Sequence, residues 1–190
     1  MNKGKVIFLS GTSSSGKSSL ARKIQDISEE KFYHVQIDTF CDMLHEKFFD
    51  NDFINTENSV ASIMHNFIMY LCKNGQNVIV DTVIENHHEN WLRECVELLH
   101  DMPVTFVKVN CPLHELERRE LARGDRAIGQ AKSQLTNMDF NTIYDLEVDT
   151  HENSTEECAK IIINNTKCEN EQNAFKKIYE KYKYNPISSI

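Results

Sequence analysis

Long apolar runs are missing from this sequence. No segment approaches the roughly 20 consecutive apolar residues that cross a bilayer, so no membrane partner is expected. Positive charge is also short: Lys and Arg total 21 against 29 Asp and Glu, a net charge of −8. That sign argues against general affinity for DNA, RNA or an acidic membrane, and no nucleic-acid partner is expected. The six cysteines include no CxxC pair, which reads as reduced thiols in a cytoplasm and not as a zinc site or disulfide frame. The first lysines precede an apolar run of only a few residues with no small-residue cleavage site, so no signal peptide is expected. The few glycines and prolines gather into no linker, and no internal repeat divides the chain. A length of 190 residues then fits one unit with a sizeable core, as a monomer or homodimer.

What is present is an alternation of short β-branched runs with helical patterns. The runs are residues 5–10, 33–38, 77–81, 104–110 and 145–149. Between them, "SLARKIQDI" follows the first run and "HENWLRECVELLH" precedes the fourth. In "SVASIMHNFIMYLCKNG" the spacing places Ile63, Phe67, Tyr70 and Leu71 on one face, with Gly75 as the stop. "PLHELERRELARG" carries proline in its first turn, and Ser154 with Glu157 forms a capping-box pattern. Strands alternating with helices predict an α/β fold with a parallel sheet covered on both faces. After about Glu169 the tail is charged, with Phe175, Ile178, Tyr179 and Tyr182 at helical spacing. It reads as a final helix docked on the core, or alternatively as a partner-binding helix.

The stretch "GTSSSGKSS" fits GxxxxGK[ST] at Gly11, Gly16, Lys17 and Ser18. A tight loop between a strand and a helix aims successive backbone N–H groups at one point, and glycine permits the required dihedrals. The helix dipole adds positive potential, Lys17 reaches the β- and γ-phosphates, and Ser18 holds Mg²⁺. A Ser/Gly loop could match by chance, but here it follows an apolar strand and opens an amphipathic helix. The nucleotide site is therefore read over Gly11, Thr12, Ser13, Ser14, Ser15, Gly16, Lys17, Ser18 and Ser19. Asp81, ending "NVIVD", suits a carboxylate delivered beside the Mg²⁺ through a water; the alternative is a helix cap.

The few arginines concentrate in "ERRELARGDR". Planar guanidinium groups on a hinged segment suit the charge of a migrating phosphoryl group. Arg119, Arg123 and Arg126 are the candidates, with Gly124 ending or hinging the helix. Arg118 fits ion pairing with the neighbouring glutamates. Asp38, closing "YHVQID", could accept or orient the proton of an attacking hydroxyl, or cap the next helix. Phe40, Phe48, Phe49 and Phe53 could line an acceptor pocket or belong to the core. His87 and His88 are adjacent and poorly placed as joint metal ligands.

Taken together, "SGTSSSGKSSLARKIQ", "QIDTF", "NVIVDTVI", "CPLHELERRELARGDRAIGQAKSQ" and "YDLEVDTHENSTEECAKII" resemble the chloramphenicol phosphotransferase-like P-loop kinases over about Lys5 to Asn165. The resemblance implies a nucleoside-kinase-like three-layer fold with a five-stranded parallel sheet and an arginine-bearing lid at about 112–138. The expected division is a kinase domain over 1–168, with the tail, outside the match, as a helical extension at 169–190 packed on it. The resemblance further implies ATP and Mg²⁺ as donor, a small-molecule hydroxyl substrate as acceptor, Asp38 as the base-like residue, and Arg123 and Arg126 as phosphate contacts. Residues 41–70 depart from the antibiotic-binding part of the pattern. An antibiotic of the chloramphenicol type is one acceptor in view; a nucleotide-sugar is another. The rival reading is a nucleotide-dependent binding or regulatory protein without transfer.

Overall fold

Five strands form a sheet in the order β2-β3-β1-β4-β5 with every pairing parallel, in a computed structural model that describes residues 2–85, 89–123, 128–138, 142–167 and 173–184. The strands are β1 (Val6–Ser10), β2 (Phe32–Gln36), β3 (Asn77–Thr82), β4 (Val104–Asn110) and β5 (Leu146–Asp149). β1 is central and buried along its whole length, as a strand covered on both faces must be. Its side chains alternate between faces. Val6 and Phe8 join one apolar cluster with Val80 and Phe106, while Ile7 and Leu9 join another with Ile79 and Val107. The first cluster is covered by α4 (Phe53–Lys73), α5 (Glu89–Leu99) and α9 (Ala174–Tyr184). The second is covered by α1 (Lys17–Ile27) and α8 (Thr155–Asn165). The result is the three-layer α/β fold. No helix among the described residues is long and apolar enough to cross a membrane, and the five described cysteines are free thiols; Cys168 lies outside the described residues.

Two local expectations are corrected. The second strand stops at Gln36, and the chain turns into a short helix, α2 (Ile37–Cys41), followed by α3 (Lys47–Asn51). Asp38 therefore neither closes the strand nor caps a helix. It is the second residue of α2, whose N-cap, Gln36, makes no side-chain cap bond. Aspartate is a poor strand former, and the Asp42 N–H closes a helical turn on the Asp38 carbonyl at 2.9 Å. In α4 the buried face is Val60, Ala61, Met64, His65, Ile68, Leu71 and Cys72. Ile63, Phe67 and Tyr70 are 60%, 41% and 62% exposed. Apolar residues occupy more than one side of this helix. A shift of one residue rotates the face by about 100°, and the sheet takes the series running through Met64 and Ile68.

α9 is fixed at its start by Asp145. One carboxylate oxygen accepts the N–H groups of Asn173 and Ala174, both at 2.8 Å, and the other accepts the Phe106 N–H at 2.9 Å. Phe175 then packs on Phe8 and Phe106, with ring centroids 5.6 and 5.2 Å apart. At the other end of the sheet α8 opens with the expected capping box between Ser154 and Glu157.

Candidate active site

The loop between β1 and α1 is shaped by steric necessity. A Cβ on Gly11 would lie 2.6 Å from the Val109 carbonyl oxygen, and Gly16 sits at φ +93°, a conformation L side chains rarely adopt. Four side chains hold the loop's main chain. Lys17 Nζ donates to the Thr12 carbonyl at 2.7 Å, and the Ser13 N–H donates to Gln134 Oε1 at 2.6 Å. Arg119 Nη1 approaches the Ser14 carbonyl at 3.4 Å, and Thr150 Oγ1 donates to the Ser15 carbonyl at 2.7 Å. The first bond within α1 runs from Leu20 N–H to Gly16 O at 2.9 Å. The N–H groups before it therefore point out along the helix axis, where the positive end of the dipole lies.

Strand register explains where Asp81 goes. It pairs with Leu9 of β1 and shares the parity of Ile79, which packs beneath α1. Its carboxylate thus emerges under the first turn of α1. There Oδ2 accepts the Ser18 hydroxyl at 2.6 Å, and Oδ1 stands 3.9 Å from Lys17 Nζ. His34 Nε2 is 3.5 Å from Oδ2, too long for a good hydrogen bond. Burial alone would raise the Asp81 pKa. His34, Lys17 and Ser18 together outweigh it and hold the carboxyl below the usual value.

One cavity of about 410 Å³ brings these groups together with the next two segments. Ser13, Ser14, Gly16, Lys17, Ser18 and Ser19 form its floor, Asp81 to Val83 and Gln36 to Asp38 one wall, and Arg119, Arg123 and Thr150 another. Asp38 is exposed there, whereas Asp81 and Lys17 are buried. Phe40, Phe48, Phe49 and Phe53 are not among the lining residues. Phe40 packs against the core, but Phe48 and Phe53 are about half exposed on the surface.

The arginines sort by partner. Both Arg118 and Arg119, on α6 (Leu113–Arg123), bond Glu115 at 2.7 Å, and these bonds hold the Glu115 carboxyl down to about 2. Arg118 is largely exposed and lines the same cavity, with its guanidinium in this ion pair. Arg119 also reaches Thr150, donating to its hydroxyl at 3.0 Å and its carbonyl at 2.9 Å. Its guanidinium is thus locked between helix, loop and strand end. Arg126, Gly124, His87 and His88 lie outside the described residues.

Sequence reasoning overlooked three residues that build this site: Gln134, Thr150 and His34. Gln134 and Thr150 stand inside "QAKSQ" and "YDLEVDT", yet neither type carries a chemical signature of its own. His34 could have been found by parity, since β2 register places it beside Ile79 and one step from Asp81.

Comparison with known proteins adds a family and a set of similar folds. A family model described as chloramphenicol phosphotransferase-like protein matches residues 4–167. A Mycobacterium tuberculosis (strain H37Rv) protein provisionally named an O-phosphotransferase is 30% identical, with 84% of this chain and 81% of that one covered. Among solved structures, the Mycobacterium tuberculosis APS kinase in complex with AMPPNP and APS is similar in fold. Its TM-score is 0.63 at 18% identity, over 86% of this chain and 98% of that one. The tunicamycin resistance protein of Deinococcus radiodurans superposes with a TM-score of 0.60 at 16% identity, over 84% and 94%.

Proposed function

The chain belongs to the chloramphenicol phosphotransferase-like family, and on that premise we propose that it is an ATP- and Mg²⁺-dependent kinase. It transfers the γ-phosphoryl group to a hydroxyl of a small, partly apolar molecule. The observation that carries this reading is one cavity shared by a phosphate loop and two carboxylates of different character. Asp81 is buried beside Lys17 and Ser18, and Asp38 is exposed on the cavity wall.

The loop suits a triphosphate. Besides the outward amides of the first turn, the hydroxyl of Ser14, which lines the cavity, is buried with no hydrogen-bond partner among the described residues, and buried polar groups ordinarily have one. The similar fold of an APS kinase holding AMPPNP supports a nucleoside triphosphate here. Ser18 and, through a water, Asp81 would hold Mg²⁺, which supplies neutralisation of phosphate charge. Lys17, the amides of Gly16 to Ser19 and Arg119 would fix the donor, and Arg123 with Arg126 would meet the charge of the transferring group. Asp38 would accept or orient the acceptor's hydroxyl proton, while Ile37 and Val83 give that end an apolar flank. Catalysis then consists of positioning and charge neutralisation, with little covalent work by the protein.

The test is incubation with γ-labelled ATP and a panel of hydroxylated small molecules, including chloramphenicol and nucleotide-sugars. Label on a small molecule supports the kinase, and the panel member that carries it names the acceptor class. Nucleotide binding with no label leaving ATP for any panel member would favour the regulatory reading.

A further inference from the structure

Gln134 is buried at 8% exposure on α7 (Gln130–Asn137), 121 residues along the chain from the loop amide it binds. In a trans peptide the C=O and N–H point in opposite directions. The peptide joining Thr12 and Ser13 is therefore gripped from two sides: Lys17 draws its carbonyl one way, and Gln134 receives its N–H the other way. Gln134 stays outside the residues that line the cavity, whereas Lys17 is among them. The glutamine thus holds the loop from behind and does not compete for the space above it.

The kinase reading, on which this inference rests, requires Lys17 to leave the Thr12 carbonyl for a phosphate. One of the two grips on that peptide is then released. We propose that Gln134 is a positioning residue that keeps this peptide from rotating when Lys17 moves, and that it thereby couples α7 to occupancy of the nucleotide loop. Gln134 is itself well anchored. Glu120 of α6 is buried at 2% exposure and accepts the N–H groups of Gly129 at 3.0 Å and Ala131 at 2.6 Å, which caps α7 where a negative charge is favourable. Arg119, one residue before Glu120, reaches the Ser14 carbonyl and Thr150. The helices α6 and α7 therefore hold adjacent residues of the same loop, α6 at Ser14 and α7 at Ser13.

Gln134→Met keeps the chain length but removes the acceptor, and Gln134→Glu retains it. The affinity for Mg²⁺·AMPPNP is measured by calorimetry, and hydrogen exchange is followed over residues 11–19 and 130–137 with and without that probe. In the native protein the probe should slow exchange in both segments. In Gln134→Met affinity should fall about tenfold, as expected for loss of one buried hydrogen bond, and the response of 130–137 should disappear. Gln134→Glu should restore protection of 11–19 in the free protein. Native affinity together with a native response of 130–137 in Gln134→Met overturns the coupling and leaves the kinase reading standing. Loss of protection spreading to β1 and α8 would mark Gln134 as generally structural and also overturn it. Failure of the native protein to bind Mg²⁺·AMPPNP overturns the kinase reading, and the coupling with it.

Discussion

On the proposed donor side of the cavity, side chains from α1, α6, α7 and the turn after β5 hold the main chain of residues 12–15, whereas on the proposed acceptor side α2, and α3 after it, bury no residue. A triphosphate has one shape whatever it phosphorylates, so its cradle can be set in advance, and a set cradle does not spend binding energy on ordering itself. Beyond Asp38 the chain carries Met43, Phe48, Phe53 and Ile54 on an open surface outside the cavity lining, which leaves more to be ordered by whatever binds there. Fold and donor site are in this sense separate from acceptor choice.

The contrast can be broken most severely at Lys17. Lys17→Ala should remove nucleotide binding and lower transfer by ~10³-fold or more; unchanged turnover in a labelled-ATP assay would end the donor-wall assignment. Asp38→Asn comes next, with transfer falling by ~10²–10³-fold while affinity for Mg²⁺·AMPPNP holds. If both fell equally, Asp38 would be a structural residue of α2. Packing offers a third comparison. Phe106→Ala, in the core that β1, β4 and α9 share, should cost ~3–5 kcal/mol in urea unfolding, and Phe53→Ala should stay within ~0.5 kcal/mol. A large cost at Phe53 would show that the surface following Asp38 is firmer than its exposure suggests. The smallest effect is acid sensitivity. Asp81 has a lower pKa folded than unfolded, so its stabilisation is full above the ordinary carboxylate value of about 4. It drains as pH falls through that value and below. Asp81→Asn should flatten this acid limb in melts run from pH 6 downward, and an unaltered limb would remove Asp81 as its source.

The donor wall was also the more legible part. Gly11, Gly16, Lys17 and Ser18 announce themselves because few residue types meet the steric or charge demand at each place. The alternation of apolar runs told the parallel sheet for the same reason, since β1, β3 and β4 are covered on both faces. α4 misled because apolar residues lie on two of its sides, so periodicity alone could not say which side the sheet would take. Asp38 was found as a residue but misplaced as an element. The edge strand β2 yields to a helical turn one residue before β3 ends. Gln134 and Thr150 escaped because a glutamine or threonine gains its role only from a partner more than 100 residues away.

α9 has a practical bearing. The stretch that relatives share ends at 167, and a protein engineer trimming to that boundary would discard Phe175 and Ile178 along with the helix Asp145 caps. Phe8 and Phe106 would then be laid bare beneath the middle of the sheet. The shortened polypeptide should come out of expression as sticky, misassembled material, however intact its catalytic residues look on paper.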